Sequence, residues 1–162
     1  MKKLLLLSML SLFSVTMNAQ DSGFSVGATV GMPTGDISDL YGVSFGADVN
    51  YMFSANFGVA VGFQSFSGKT ISILGTDMKI SSASFLPIAA AGRYNLSDAF
   101  VLGADVGYAL GMSPSGNDGG FYYRPMLAYA VASNVSVNAH YSGIGVDGGT
   151  FSSIGLGVMF GL

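Results

Sequence analysis

Residues Val43–Phe53 read VSFGADVNYMF, and large apolar side chains alternate with small or polar ones along almost the whole stretch. Valine, phenylalanine, alanine and tyrosine take the odd positions, whereas serine, glycine, aspartate and asparagine take the even ones as far as Asn50. An alternation with a period of two places the two sets on opposite faces of a β-strand. The stretch therefore predicts a strand with one apolar face and one small or polar face.

The same alternation recurs along the rest of the chain. Each segment is about ten residues long, which is the length of a strand that crosses a bilayer at a tilt. The pattern predicts an all-β fold of eight antiparallel strands joined in sequence. The segments are Phe24–Met32, Val43–Phe53, Phe57–Phe66, Ile80–Leu96, Phe100–Leu110, Phe121–Val131, Val135–Ser142 and Phe151–Leu162.

The first nineteen residues have the features of a secretory signal peptide. Lys2 and Lys3 give a basic start, an apolar run from Leu4 to Met17 follows, and Ala19 supplies the small residue before a cleavage point. The apolar run is too short for a membrane-spanning helix. We expect a signal peptide at residues 1–19 and a single barrel domain at residues 20–162. The chain has no cysteine, so no disulfide stabilises the exported domain.

The composition beyond residue 19 is unusual for a soluble protein. Four basic residues stand against nine aspartates, glutamate is absent, and all 24 glycines lie in this part. A nucleic-acid-binding protein would show clusters of basic residues, so this class is excluded. The apolar stretch Phe85–Gly92 is interrupted by Pro87 and is too short for a spanning helix. Without helices, only a closed barrel satisfies every backbone hydrogen-bonding group inside lipid.

The positions of the polar residues distinguish the barrel from its alternatives. When the large apolar residues fix the faces of each segment, every charged, amide or imidazole side chain at bilayer depth falls on the other face. A lipid-facing exterior and a polar interior predict this arrangement. A soluble β-sandwich would carry more lysine and glutamate outside, and a lipocalin-like carrier would turn its apolar face inward. The polar set is Asp48, Asn50, Gln64, Arg93, Asn95, Asp105, Arg124, Asn138 and His140.

The connections between segments fall into two classes. Short turns built from serine, aspartate and asparagine are predicted at 54–56, 97–98 and 133–134. Longer links are predicted at 33–41, 67–79, 111–120 and 143–150. Short turns at one end and long loops at the other are typical of bacterial outer-membrane barrels, whose long loops face the outside of the cell.

Together these features resemble the small eight-stranded outer-membrane barrels, the porin-like or OmpA/OmpX-like family. The resemblance rests on the signal peptide, the eight segments, the repeated short turns and the ending IGLGVMFGL at Ile154–Leu162. It implies an up-and-down transmembrane barrel in the bacterial outer membrane. It also implies a monomer surrounded by outer-membrane lipid and lipopolysaccharide, inserted by the barrel assembly machinery, with no nucleic-acid partner and no cofactor.

The interior of an eight-stranded barrel is just wide enough for side chains to fill. Two carboxylates, Asp48 and Asp105, face inward together with the guanidinium groups of Arg93 and Arg124. We expect these four residues to form a buried ionic network that closes the lumen. The protein would then have a structural or surface-interaction role. In the alternative interpretation the same charges form a constriction that permits minor permeation.

An enzymatic alternative rests on the sequence His140-Tyr141-Ser142. This sequence is similar to the His-x-Ser-Asn motif of lipid A deacylases, although Gly143 stands in place of the asparagine. The resemblance implies His140 as general base, Ser142 as nucleophile and Asp147 as the acidic residue that orients the histidine. The alternation nevertheless turns His140 and Ser142 toward the lumen, whereas a site that cleaves lipid must face the bilayer. With one histidine and neither cysteine nor glutamate in the mature part, we expect no metal site.

Overall fold

The computed structural model describes residues 23–73 and 76–162, and the predicted signal peptide at residues 1–19 lies outside them. No helix within these ranges has the length and apolar character needed to cross a membrane. The strands are β1 (Gly23–Thr34), β2 (Tyr41–Met52), β3 (Phe57–Gly68), β4 (Thr70–Ile73), β5 (Thr76–Lys79), β6 (Ala83–Asn95), β7 (Phe100–Ser113), β8 (Gly120–Ala132), β9 (Val135–Val146) and β10 (Gly149–Gly161).

Eight of these strands form a closed barrel in the order β1-β10-β9-β8-β7-β6-β3-β2. Every neighbouring pair is antiparallel, and the first and last strands close the ring from Ser25 opposite Gly161 to Thr34 opposite Ser152. The two remaining strands, β4 and β5, pair only with each other as a separate hairpin. The predicted eight-stranded up-and-down barrel is confirmed.

The apolar faces of the barrel strands point outward. Leu156 is 65% exposed and Ile88 is 49% exposed, whereas Asp105 is fully buried. A sandwich or a ligand carrier would bury the large apolar residues instead. This surface has the polarity expected of a barrel whose solvent on the outside is lipid.

Glycines on the inner face make room for longer polar side chains. A β-carbon at Gly62 would lie 2.6 Å from Asp48 Oδ1, which is too close for any real contact. At Gly103 a β-carbon would lie 2.8 Å from the Met126 Cγ atom and 3.1 Å from Arg93 Cδ. The narrow lumen therefore has room for long polar side chains because the neighbouring inward positions are glycines, which have no side chain.

The short turns lie at one end of the barrel and have the predicted side-chain chemistry. The backbone N–H of Phe57 donates to Ser54 Oγ at 3.2 Å, and the N–H of Phe100 donates to Ser97 Oγ at 3.1 Å. In outer-membrane barrels the short turns face the periplasm. We call this the periplasmic end, and the opposite end the outer end.

Two of the four predicted outer links differ from the expectation. Strands β9 and β10 continue through most of residues 143–150, and only Asp147 and Gly148 form the turn between them. Gly148 has φ +90°, a conformation that side chains rarely adopt. Gly143 suggested a loop, but it is a strand residue paired with Tyr123, whose ring leaves no room for a β-carbon at this position. The link at 67–79 contains the β4–β5 hairpin.

Candidate functional site

The four ionic residues of the lumen lie in one continuous chain of contacts. Arg124 donates from Nε and Nη2 to Asp105 Oδ2 at 3.0 and 2.8 Å, and from Nη1 to Asp48 Oδ2 at 2.8 Å. Arg93 donates from Nη1 to Asp105 Oδ1 at 2.7 Å. The order is Asp48, Arg124, Asp105, Arg93, so two positive and two negative groups alternate. Side-chain exposure is 8%, 6%, 0% and 15% in the same order.

The Asp48–Arg124 ion pair crosses the full width of the barrel. Asp48 lies on β2 and Arg124 on β8, and these strands are four places apart in either direction around the ring. Asp105 and Arg124 are register partners on the adjacent strands β7 and β8. Asp105 thus orients the guanidinium of Arg124, and Nη1 of that guanidinium reaches Asp48 on the opposite wall.

An uncharged set of polar contacts also crosses the lumen. Gln64 Nε2 donates to Ser142 Oγ at 2.9 Å and is 3.4 Å from Ser153 Oγ, and the two serine hydroxyls are 2.9 Å apart. Gln64 lies on β3 and Ser142 on β9, which are again opposite strands of the ring. The polar side chains therefore hold opposite walls together at two places.

The structure does not connect the three residues of the enzymatic alternative by hydrogen bonds. His140 Nδ1 lies 3.0 Å from Asn138 Oδ1, while Ser142 bonds to Gln64 and Ser153. Asp147 is exposed in the turn at the outer end. Within the described residues, no hydrogen bond joins any two of His140, Ser142 and Asp147. Both His140 and Ser142 are buried in the lumen rather than exposed to lipid.

Aromatic side chains pack together inside the outer end of the barrel. Phe66, Phe85 and Phe151 pack with ring centroids 5.0 to 6.1 Å apart, and Tyr41 lies 5.3 Å from Phe151. Phe66 and Phe85 are fully buried. We call Tyr41, Phe66, Phe85 and Phe151 the aromatic cluster.

Sequence reasoning missed the aromatic cluster. The prediction assigned large apolar residues to the outer face and polar residues to the inner face, so it did not expect aromatic rings inside the barrel. The signal was nevertheless present, because Phe66 lies two residues after Gln64, and Phe85 lies eight before Arg93. Both separations are even, so the alternation itself places these two rings on the inner face.

The lumen has different contents along its length. Between the polar contacts in the middle there is an enclosed space of about 10 Å³, beside Arg124, His140 and Ser142. At the periplasmic end a larger cavity of about 290 Å³ opens beside Asn50 and Arg93. In the part of the chain that the structure describes, no three acidic, histidine or cysteine side chains are grouped as metal ligands.

Comparison with known proteins agrees with this architecture. A family model described as "Outer membrane protein beta-barrel domain" matches residues 4–161. No curated protein matches the chain.

Three solved barrels illustrate the structural similarity. The N-terminal barrel domain of Pseudomonas aeruginosa OprF is 14% identical, with a TM-score of 0.58 over 88% of this chain and 98% of that one. Yersinia pestis Ail is 16% identical, with a TM-score of 0.55 over 88% and 99%. Neisserial surface protein A is 18% identical, with a TM-score of 0.59 over 87% and 98%. The chain belongs to the outer-membrane β-barrel family and is an eight-stranded barrel of the bacterial outer membrane.

Proposed function

We propose that this protein is a non-conducting barrel that stabilises the outer membrane structurally and presents its outer surface for interaction. The observation that carries the proposal is the Asp48–Arg124 ion pair, which joins opposite strands across the lumen at 2.8 Å. Ions or solutes on a straight path through the barrel would have to break this pair.

The burial of the charges favours a closed lumen over a selective pore. Charged groups that line a conducting pore face water and exchange ions with it. Here Asp105 is fully buried, and each of its carboxylate oxygens accepts a hydrogen bond from a guanidinium. The enclosed space of about 10 Å³ beside Arg124 is at the lower limit for a single water molecule. Beyond it, the aromatic cluster forms an apolar second barrier.

The exterior supports an integral monomer in lipid. Large apolar side chains are exposed on every barrel strand, as a surface in contact with acyl chains requires. We propose that outer-membrane lipid and lipopolysaccharide cover this surface directly. Delivery by the barrel assembly machinery is part of the same proposal, because the resemblance to small outer-membrane barrels implies it.

The charge of the outer end indicates which surface partners suit it. The connections there carry five aspartates and two lysines: Asp36, Asp39, Asp77, Asp118, Asp147, Lys69 and Lys79. One structure of Ail contains a heparin analogue, sucrose octasulfate. A polyanion of that kind would be repelled by an acidic surface, so we propose that cationic partners are favoured here.

Electrical recording in planar bilayers tests whether the lumen is closed. We expect the wild-type protein to give no current above the membrane leak. The variant Arg93→Met removes one ion pair, so it should lose resistance to heat while still passing no current. Heat resistance is read from the temperature at which the folded band disappears in unheated-sample gel electrophoresis.

A lipid-facing variant provides the control. Leu102→Met changes a side chain that is 49% exposed on the outer face, and we expect it to alter neither heat resistance nor current. Stepwise currents in the wild-type protein, with a conductance that Arg93→Met changes and Leu102→Met does not, would show that the charges line a pore. The proposal of a closed lumen would then be wrong.

A further inference from the structure

The cavity at the periplasmic end has the dimensions of a small ligand site. Its volume is about 290 Å³. It lies at the lower end of the range for small-molecule pockets. Because the middle of the lumen is filled, the cavity is accessible from the periplasmic end and closed above.

Arg93 lines this cavity and uses only part of its hydrogen-bonding capacity in the described residues. Within the described residues, its hydrogen bonds to Gly92 O, Ala104 O and Asp105 all use Nη1. The Nε and Nη2 groups form the side edge of the guanidinium, and Arg93 lines the cavity. Two parallel N–H groups at this spacing match the two oxygens of a carboxylate.

Asn50, a second polar residue, lines the same cavity. The residue is 3% exposed, and its Oδ1 atom is buried without a hydrogen-bond partner in the described part of the chain. Its Nδ2 group donates to Met159 Sδ at 3.4 Å. A buried carbonyl oxygen without a partner is uncommon and costly, so a donor from a bound molecule would stabilise it.

The remaining wall of the cavity is largely apolar and adaptable. Met52, Met126 and Met159 line it together with Val101 and several alanines. Methionine side chains are flexible and polarisable, and they adapt to ligands of irregular shape. The walls therefore suit an aliphatic group beside the polar pair.

We propose that this cavity binds a small periplasmic molecule that carries a free carboxylate next to an N–H donor. An acylated amino acid and the carboxyl end of a peptide both have this chemistry. The carboxylate pairs with the side edge of Arg93, the N–H donates to Asn50 Oδ1, and the aliphatic side chain contacts the methionines. A fully ionised phosphate ester fits less well, because it brings acceptors to Arg93 but no donor to Asn50.

Nuclear magnetic resonance titration in lipid nanodiscs tests the proposal with two matched probes. N-acetyl-leucine carries the carboxylate, and N-acetyl-leucinamide lacks it. We expect the acid to shift the Arg93 Nε–H and Asn50 side-chain amide signals in a saturable manner, and to bind at least about tenfold more tightly than the amide. Equal binding of the two probes, or no saturable shift with the acid, would overturn the proposal.

Two further probes identify the source of the ligand. N-acetyl-alanyl-leucine represents a peptide end, and free leucine represents an amino acid. Tighter binding of the dipeptide supports peptide ends, whereas equal or tighter binding of leucine supports free amino acids. If N-acetyl-leucine binds and these two probes do not, the result supports N-acylated amino acids as the source.

Variants locate the site. Arg93→Lys keeps the charge but loses the planar edge, and Asn50→Leu removes the acceptor; each should weaken binding of N-acetyl-leucine about tenfold or more. Asp98→Asn, in an exposed periplasmic turn, is the control and should bind as the wild type does. Unchanged affinity in both cavity variants contradicts the proposal. If Arg93→Lys fails to fold, the affinity of Asn50→Leu and the comparison of the acid and the amide on the wild type still test the proposal. This test measures no bilayer current, so its outcome does not depend on the outcome of the conductance test of the closed lumen.

Discussion

Removal of Arg124 is the most direct test of the ionic network. Within the described residues, Arg124 is the only ion-pair partner of Asp48, whereas Asp105 also contacts Arg93. The variant Arg124→Met replaces the guanidinium with an apolar side chain and leaves Asp48 buried, at 7% exposure, without a cation. Stranding one charge of a buried pair costs about 3–5 kcal/mol. We expect the unfolding free energy to fall by this amount, which is about two to four powers of ten in the unfolding equilibrium.

The network also predicts an order among variants. Arg93→Met should cost less, about 1–3 kcal/mol, because Asp105 keeps both hydrogen bonds from Arg124. The double variant Arg124→Met with Asp48→Leu removes the stranded charge and leaves the Arg93–Asp105 pair intact. Apolar replacement of a buried ion pair is often neutral or stabilising. We therefore expect the double variant to recover most of the stability that Arg124→Met loses.

Urea unfolding in lipid bilayers measures these differences. The chain contains no tryptophan, so far-ultraviolet circular dichroism and gel mobility report the folded fraction. A loss below about 1 kcal/mol for Arg124→Met would mean that water or a structural shift solvates Asp48. A double variant no more stable than Arg124→Met alone would refute the reasoning that an unpaired charge causes the loss.

Two further predictions concern the walls of the barrel. Leu156→Arg, at an outward position in the middle of β10, should cost about 2–4 kcal/mol in a bilayer, whereas Met78→Arg in the exposed hairpin should cost less than about 0.5 kcal/mol. Equal effects in urea unfolding would contradict the assignment of the outer face to lipid. Gly107→Ala should cost about 1–3 kcal/mol, because its β-carbon would overlap the carbonyl oxygen of Ile88. Gly149→Ala is the control, since nothing lies within 4 Å of its β-carbon. A stable Gly107→Ala variant would show that β6 and β7 can move apart.

Much of the architecture could be predicted from local sequence alone. Alternation with a period of two assigns a face to each residue without knowledge of any partner strand. In Val43–Phe53 this places Asp48 and Asn50 inside and Val49 outside, and the structure agrees. The short turns were equally local, since Ser54 and Ser97 accept hydrogen bonds from residues two and three positions ahead.

The ends of the strands could not be placed in this way. Glycines at 143 and 145 suggest a loop when they are considered alone, yet both belong to β9. Space on a neighbouring strand explains the glycine at position 143, because the ring of Tyr123 occupies the volume where a side chain would lie. Such crowding depends on which residues face each other, and the alternation carries no information about that.

The sequence by itself thus determined the class of fold and the face of each side chain, because both follow from the geometry of a single extended chain. Only the tertiary structure decided that Asp48 meets Arg124 across the lumen and that Arg93 and Asn50 line the same periplasmic cavity. Those contacts depend on the positions, along the barrel axis, of residues on strands that are far apart in sequence. The register of strand pairing and the closure of the barrel fix these positions, and no single segment encodes that pairing.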